Sequence, residues 1–301
     1  VGQSGVHEVV KALLPQEVQS VAEWLVEKFS RPPRPNRNSK TAKQNEEDLR
    51  SFCRHSLPAL KENCLQRRQE VAALLRFLRS DQKRFAGQDQ DETDMKHLQP
   101  QLRQVLTAAD TNKDGNCLWN AVSLAVSGKE GLHRLLRALT TYVILSCPEF
   151  FKALRGKLGD DASFYEKDIF LSVYLKEWGE DPQVVALSLL LARDIFVLLN
   201  ARQSRFDPVR DITVWDYPQM KKNTGNLSLQ QLCGLYNSRT EGLPWDSQVL
   251  GASLFLNRGG LSREAVQARR APIRIHCNDE TRHFSALMPL PNADLSLIPT
   301  P

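Results

Sequence analysis

The sequence has 301 residues, 41% hydrophobic and 25% charged, enough apolar material for one large domain or a domain with an appendage. Its formal charge of +5 is small for that length, and the basic runs at 31–43 and 67–68 carry no interleaved aromatic residues, which argues against a nucleic-acid surface. No apolar run is long enough for a membrane segment, and the six cysteines (53, 64, 117, 147, 233, 277) form no Cys-x-x-Cys pair, as expected of free thiols in a reducing compartment such as the cytoplasm.

Residues 7–29 place Val10, Leu13, Leu14, Val18, Val21, Leu25 and Phe29 near one helical face. Pro15 interrupts that face, so a short helix followed by a second one starting at the proline is expected. Residues 30–43 are proline-rich and aperiodic, the composition of a tether. Residues 44–85 return to helical spacing through Leu49, Phe52, Leu57, Leu60, Cys64, Val71, Leu74, Leu75 and Leu78, with a break near Ser56 ahead of Pro58. Residues 1–88 thus read as a helical N-terminal extension and 89–301 as the main domain. The apolar faces leave open whether the extension is an accessory arm or completes the domain's core. The start at Val1 suggests an excised fragment whose targeting signals lie outside it.

A polar loop at 87–93 and a helix over 95–108 lead to the sequence Asp114-Gly115-Asn116-Cys117-Leu118-Trp119-Asn120-Ala121. Gly115 permits a backbone conformation closed to other residues, and Leu118, Ala121, Val122, Ala125 and Val126 then follow helical spacing up to Gly128. This delivers Cys117 to the first turn of a buried helix, where unsatisfied N–H groups favour a thiolate and can receive an oxyanion. A cysteine there is also compatible with a plain small core residue.

Further helices are expected over 132–146, stopped by Pro148, in the stretch holding Ile169, Val173 and Leu175, and from Asp181-Pro182 to Arg193. His133 lies among charged residues and is expected to be exposed. The continuous apolar run 195–199 reads as a central strand, with shorter candidates at 212–215 and 253–256. Residues 272–276 and 283–289 alternate as two strands joined by a turn at Asn278-Asp279-Glu280, with His283 at the start of the second. His276, Cys277 and His283 offer three metal-ligand types, too few and too close in sequence for a zinc site, and no cofactor or metal is expected.

The run from Asp114 to Ser123, Asp-Gly-Asn-Cys-Leu-Trp-Asn-Ala-Val-Ser, resembles the nucleophile motif of the ovarian tumour (OTU) family of deubiquitinases. His283-Phe284-Ser285-Ala286-Leu287 is similar to the histidine strand of that family's His-Phe branch. The resemblance covers about residues 95–290 and implies an α/β (α+β) papain-like fold, a central sheet of about five strands flanked by helices, with the N-terminal helical extension added. It implies Cys117 as nucleophile, His283 as general base, and Asp114, Gly115 and Asn116 as the loop behind the oxyanion hole. Trp119 is implied to be a core residue. Much of the family orients the histidine with Asn or Asp two residues later; Ser285 stands there, so an upstream acid, Asp110 or one of those from Asp89 to Asp94, is the alternative third member. The implied substrate is ubiquitin, polyubiquitin or a ubiquitin-like modifier cut after its Gly-Gly tail. A processing protease on ordinary peptide bonds and an inactive ubiquitin-binding module remain as the competing readings.

Overall fold

The computed structural model describes residues 8, 10–30, 41–56, 62, 63, 66–80, 89–146, 148–154, 169–191, 193, 195–200, 212, 213, 272–278 and 280–294. The tether over 31–40 and the strand candidate at 253–256 lie outside the described residues.

After a short turn of helix at 10–13, which ends ahead of Pro15, helix α1 runs Gln16–Phe29. Its periodic face buries Val18, Val21, Ala22, Leu25, Val26 and Phe29. Helix α2, Thr41–Ser51, closes with a π-helical turn, Phe52–Ser56, where the break was expected, and α3 covers Arg68–Arg79. Val71, Leu74, Leu75 and Leu78 of α3 are buried in the same cluster as the α1 face. That cluster continues into the helix α7, His133–Ser146, where Phe29 meets Tyr142 edge-on at 5.5 Å. The N-terminal helices and the helices behind Cys117 therefore share one hydrophobic core.

The expected single helix over 95–108 is instead two short helices and a strand: α4 Glu92–His97, α5 Pro100–Arg103 and β1 Leu106–Ala109. Pro100 can open a helix but cannot sit inside one, and Asp91 caps α4 by accepting the N–H groups of Thr93 and Asp94. Beyond lie α6 Cys117–Ser127, α7, α8 Pro148–Leu154, α9 Phe170–Val173, α10 Asp181–Leu191, β2 Ile195–Leu199, β3 Ile212–Thr213, β4 Ile273–Asn278 and β5 His283–Pro289. Pro148 thus opens a helix of its own after the one it was expected to end.

The five strands form one sheet in the order β1-β5-β4-β2-β3. β5 lies antiparallel to both β1 and β4, β4 is parallel to β2, and β3 closes the far edge antiparallel to β2. The β4–β5 hairpin is the expected one, its turn held by Asn278 Oδ1 accepting the N–H groups of Glu280 and Thr281. Alternation along β5 suggests one wet face, yet residues from His283 to Met288 are all buried. The reason is β1 with α4 and α5. Phe284, Ala286 and Met288 face the main core, while Leu287 joins Leu98, Leu102, Val105, Leu106, Ala108, Phe196 and Leu198 in a second cluster. A sheet covered on both sides puts any polar side chain on β4 or β5 under pressure to find a partner.

Candidate active site

The turn before α6 is built by Asp114. Its Oδ1 accepts the N–H of Asn116 (2.9 Å) and Nδ2 of Asn120 (3.2 Å), and its Oδ2 accepts Nδ2 of Asn116 (2.9 Å). Gly115 sits at φ +82°, and a Cβ there would stand 2.5 Å from the carbonyl oxygen of Lys176. Both conditions select glycine. Gly179 is needed for space: a Cβ would lie 2.3 Å from the Leu118 side chain. The segment 176–179 therefore presses directly on the turn and on the first residues of α6.

Cys117 begins α6 and its side chain is buried. Burial pushes its thiol up, and the charge of Asp114 acts in the same direction; the N–H groups of Phe284, Leu118 and Cys117 itself pull the other way but do not prevail. The helix start was expected to favour the thiolate; burial of the sulfur works against that pull. Those N–H groups still converge on the sulfur.

His283 is the first residue of β5, opposite Asn278. Burial pushes its imidazole down from the ordinary value, against the charge of nearby Asp94. Its Nε2 lies 2.9 Å from Oγ1 of Thr111, and that hydroxyl also bonds the carbonyl oxygen of Phe284 at 2.7 Å. A carbonyl can only accept, so the single hydroxyl proton points to Phe284 and Nε2 must donate its own proton to Thr111. Nδ1 is thereby left with its lone pair free. Among the described residues no hydrogen bond joins Cys117 to His283; the two are linked through Phe284, whose N–H meets the sulfur and whose carbonyl meets Thr111.

The two third-member residues weighed from the sequence fall differently. Asp110 is exposed beside Thr111 and acts on His283 only through its charge. Ser285 is fully buried and donates to Oδ2 of Asp94 rather than to the imidazole. Asp94, within the upstream group of acids, also accepts Nδ2 of Asn278 at 2.9 Å and has Nδ1 of the buried His276 at 3.5 Å. Burial alone would push its carboxyl up, but the neighbouring His276 and hydrogen bonds from Ser285 and Asn278 overcome it and hold Asp94 well below the usual carboxylate range. Asp91, Asp94 and His283 each bring one polar atom within 4.8 Å of the others, a grouping that could in principle hold a metal. Asp91 already caps α4 and pairs with Lys113 Nζ at 3.3 Å, and both oxygens of Asp94 accept hydrogen bonds from side chains, so protein groups already hold both carboxylates. Thr111 was missed: in the sequence it is one more small polar loop residue, and only the fold reveals its partner 172 positions away.

Of two other residues singled out in the sequence, His133 departs from its expectation and Trp119 is the expected core residue. His133 is half-buried rather than exposed, its imidazole pushed down to about 4 chiefly by burial. Trp119 is fully buried, with the guanidinium of Arg137 3.6 Å above its ring. An open cleft of about 680 Å³ lies beside Thr111, lined by Asp110, Thr111, Asn112, Lys113, Lys129 and Glu130.

Residues 112–236 match the family described as OTU-like cysteine protease. That stretch, under half of the chain, is what is similar to an OTU-like cysteine protease. The matched span holds the Asp114–Cys117 turn, α6, α7, α10 and β2, and the β4–β5 hairpin that carries His283 lies beyond it. Among solved structures, the OTU domain of OTUD1 is 18% identical, with 61% of this chain and 85% of that one covered and a TM-score of 0.37. The viral OTU domain protease from Farallon virus is 10% identical, with 64% and 89% covered and a TM-score of 0.36. No curated protein sequence matches the chain. Among the described residues no helix is long and apolar enough to cross a membrane.

Proposed function

We propose that the chain is a deubiquitinase that cuts the bond after the C-terminal Gly-Gly of ubiquitin, with Cys117 as nucleophile and His283 as general base. The observation that carries this reading is the Thr111 hydroxyl, which bridges the imidazole to the strand whose N–H meets the sulfur. It leaves Nδ1 of His283 free to take a proton, and both groups start neutral: burial raises the thiol and lowers the imidazole. In the reading's first step, Nδ1 removes the thiol proton as the sulfur attacks the carbonyl carbon, and the N–H groups of Cys117 and Leu118 take the developing oxyanion. The imidazolium, stabilised by the carboxylates of Asp91 and Asp94, then protonates the departing lysine amine. Water hydrolyses the thioester with His283 again as base. Asp114, Gly115 and Asn116 shape the turn and touch no reacting proton.

Thr111 then orients the base, with Asp94 as the buried acid beside it and Ser285 acting through Asp94. Thr111→Val should lower kcat by about 10² to 10⁴-fold with KM little changed, the size expected for loss of an orienting group. Ser285→Ala should cost much less, because Asn278 continues to hold Asp94. Steady-state kinetics on a fluorogenic ubiquitin amide measure both.

The buried sulfur and the missing Cys117–His283 hydrogen bond support a second reading, a module that binds ubiquitin without cutting it. Turnover of the ubiquitin amide separates the two. The same measurement with a peptide amide carrying only the last residues of ubiquitin tests the processing-protease reading: a deubiquitinase prefers the intact protein by orders of magnitude, whereas equal rates on both would sink the proposal.

A further inference from the structure

Arg137, on α7, is fully buried although it does not touch the nucleophile or the histidine by hydrogen bond. Its Nε donates to Oδ1 of Asn116 at 2.9 Å, and its two terminal nitrogens donate to the carbonyl oxygens of Leu171 (2.6 Å), Gly115 (3.2 Å) and Glu177. Asn116 Oδ1 also accepts the N–H of Lys176 at 3.0 Å. One guanidinium thus joins the turn before Cys117 to both ends of the segment that runs along it. The peptide between Gly115 and Asn116 is held at both of its polar atoms, its carbonyl by Arg137 and its N–H by Asp114.

Every hydrogen-bond acceptor on Arg137 is a neutral carbonyl oxygen, so its positive charge is offset only through space, by Glu177 and Asp114. A buried charge is costly unless it is paired and hydrogen-bonded, and a neutral side chain filling the same volume would serve packing alone. The face of Trp119, two residues into α6, carries part of that charge at 3.6 Å. Burial pushes Arg137 down to about 9, while Glu177, Asp114 and Cys117 act in the opposite direction, so it remains a cation at neutral pH. Around it, Asp114 and Cys117 lie on the turn and α6, Glu177 on the facing segment, and His133 and Arg134 on its own helix.

We propose that Arg137 is a positioning residue for the reaction: it locks the peptide preceding the nucleophile, and its charge favours negative sulfur on Cys117. This rests on the reading of Cys117 as nucleophile. The guanidinium sits on Gly115 and Asn116, the two residues before the sulfur, where its charge adds to the amide dipoles of the helix start.

The test uses Arg137→Lys and Arg137→Met in the full chain. Alkylation of Cys117 by iodoacetamide is followed by mass spectrometry across pH, alongside kcat and KM on the ubiquitin amide and thermal unfolding. Arg137→Met should shift the alkylation profile to higher pH by about one unit and slow alkylation at neutral pH roughly tenfold. Its kcat should fall with KM within about twofold. Arg137→Lys restores charge without the planar fork, so it should recover most of the alkylation rate and little of kcat. A folded Arg137→Met whose alkylation profile overlays the parent overturns the electrostatic half. Should Arg137→Met not fold, Arg137→Lys decides: parental kcat overturns the positioning half. Alkylation needs no ubiquitin, so failure of the ubiquitin assignment shows as absent turnover in the parent, with the Arg137 effect on the thiol still readable.

Discussion

A fragment beginning at residue 89 is expected not to fold. Amphipathic helices at the start of a chain can be an arm on the surface, but here α1 lies against α7, directly behind the helix that carries Cys117. Phe29 is fully buried and edge-on to both Tyr142 and Phe52, and Val21, Ala22 and Leu25 are as inaccessible. α3 adds Val71, Leu74, Leu75 and Leu78 to the same core. Uncovering the partners of these side chains at about 1.5–3 kcal/mol for each large one removes on the order of 10 kcal/mol, comparable to the whole stability of an ordinary domain. Far-UV circular dichroism and thermal unfolding of the fragment check this. A cooperative transition with retained turnover would make residues 1–88 an accessory arm after all, and diubiquitin preference would then show whether it recognises substrate.

His283→Ala is expected to lower kcat by about 10⁴-fold without loss of fold. Burial pushes the Cys117 thiol up, so its attack needs a base to take the proton. His276, the other histidine on the hairpin, is fully buried with its Nδ1 directed to Asp94, and it lies opposite Ser285 on β4. It is in no position to replace His283. Because Thr111 holds Nε2, added imidazole at millimolar concentration should restore some turnover to His283→Ala but none to a double variant with Cys117→Ala. Turnover in His283→Ala within tenfold of the parent would move the base elsewhere.

Much of the arrangement was legible in the sequence where local pattern and local chemistry agree. The glycine before Cys117, the apolar spacing of α6 and the left-handed Gly128 that ends it are local features, and each is found where the pattern puts it. The β4–β5 hairpin likewise follows from alternation and an Asn turn. β1 was not legible, because Leu106–Ala109 has the composition of a helix and becomes a strand only by pairing with β5. Ser285 shows the same limit at the site. Its position two residues after His283, on the same face of β5, suggests the orienting role, but its hydroxyl donates to Asp94, while the residue that reaches the imidazole comes from a loop with no marking in sequence. Arg137 looks like one more charge on an amphipathic helix, and only the approach of 171–177 makes it an interior clamp.

The most direct measurement of the central claim is capture by a ubiquitin probe whose C-terminal carboxylate is replaced with a thiol-reactive group. The parent chain should form one covalent adduct of the added mass of ubiquitin, with the modified peptide containing Cys117. Cys117→Ala should form none while unfolding at the parental temperature, since the buried thiol contributes a small side chain to the core. An adduct that persists in Cys117→Ala, or a folded parent that is never captured at any pH, would contradict Cys117 as the nucleophile of a deubiquitinase.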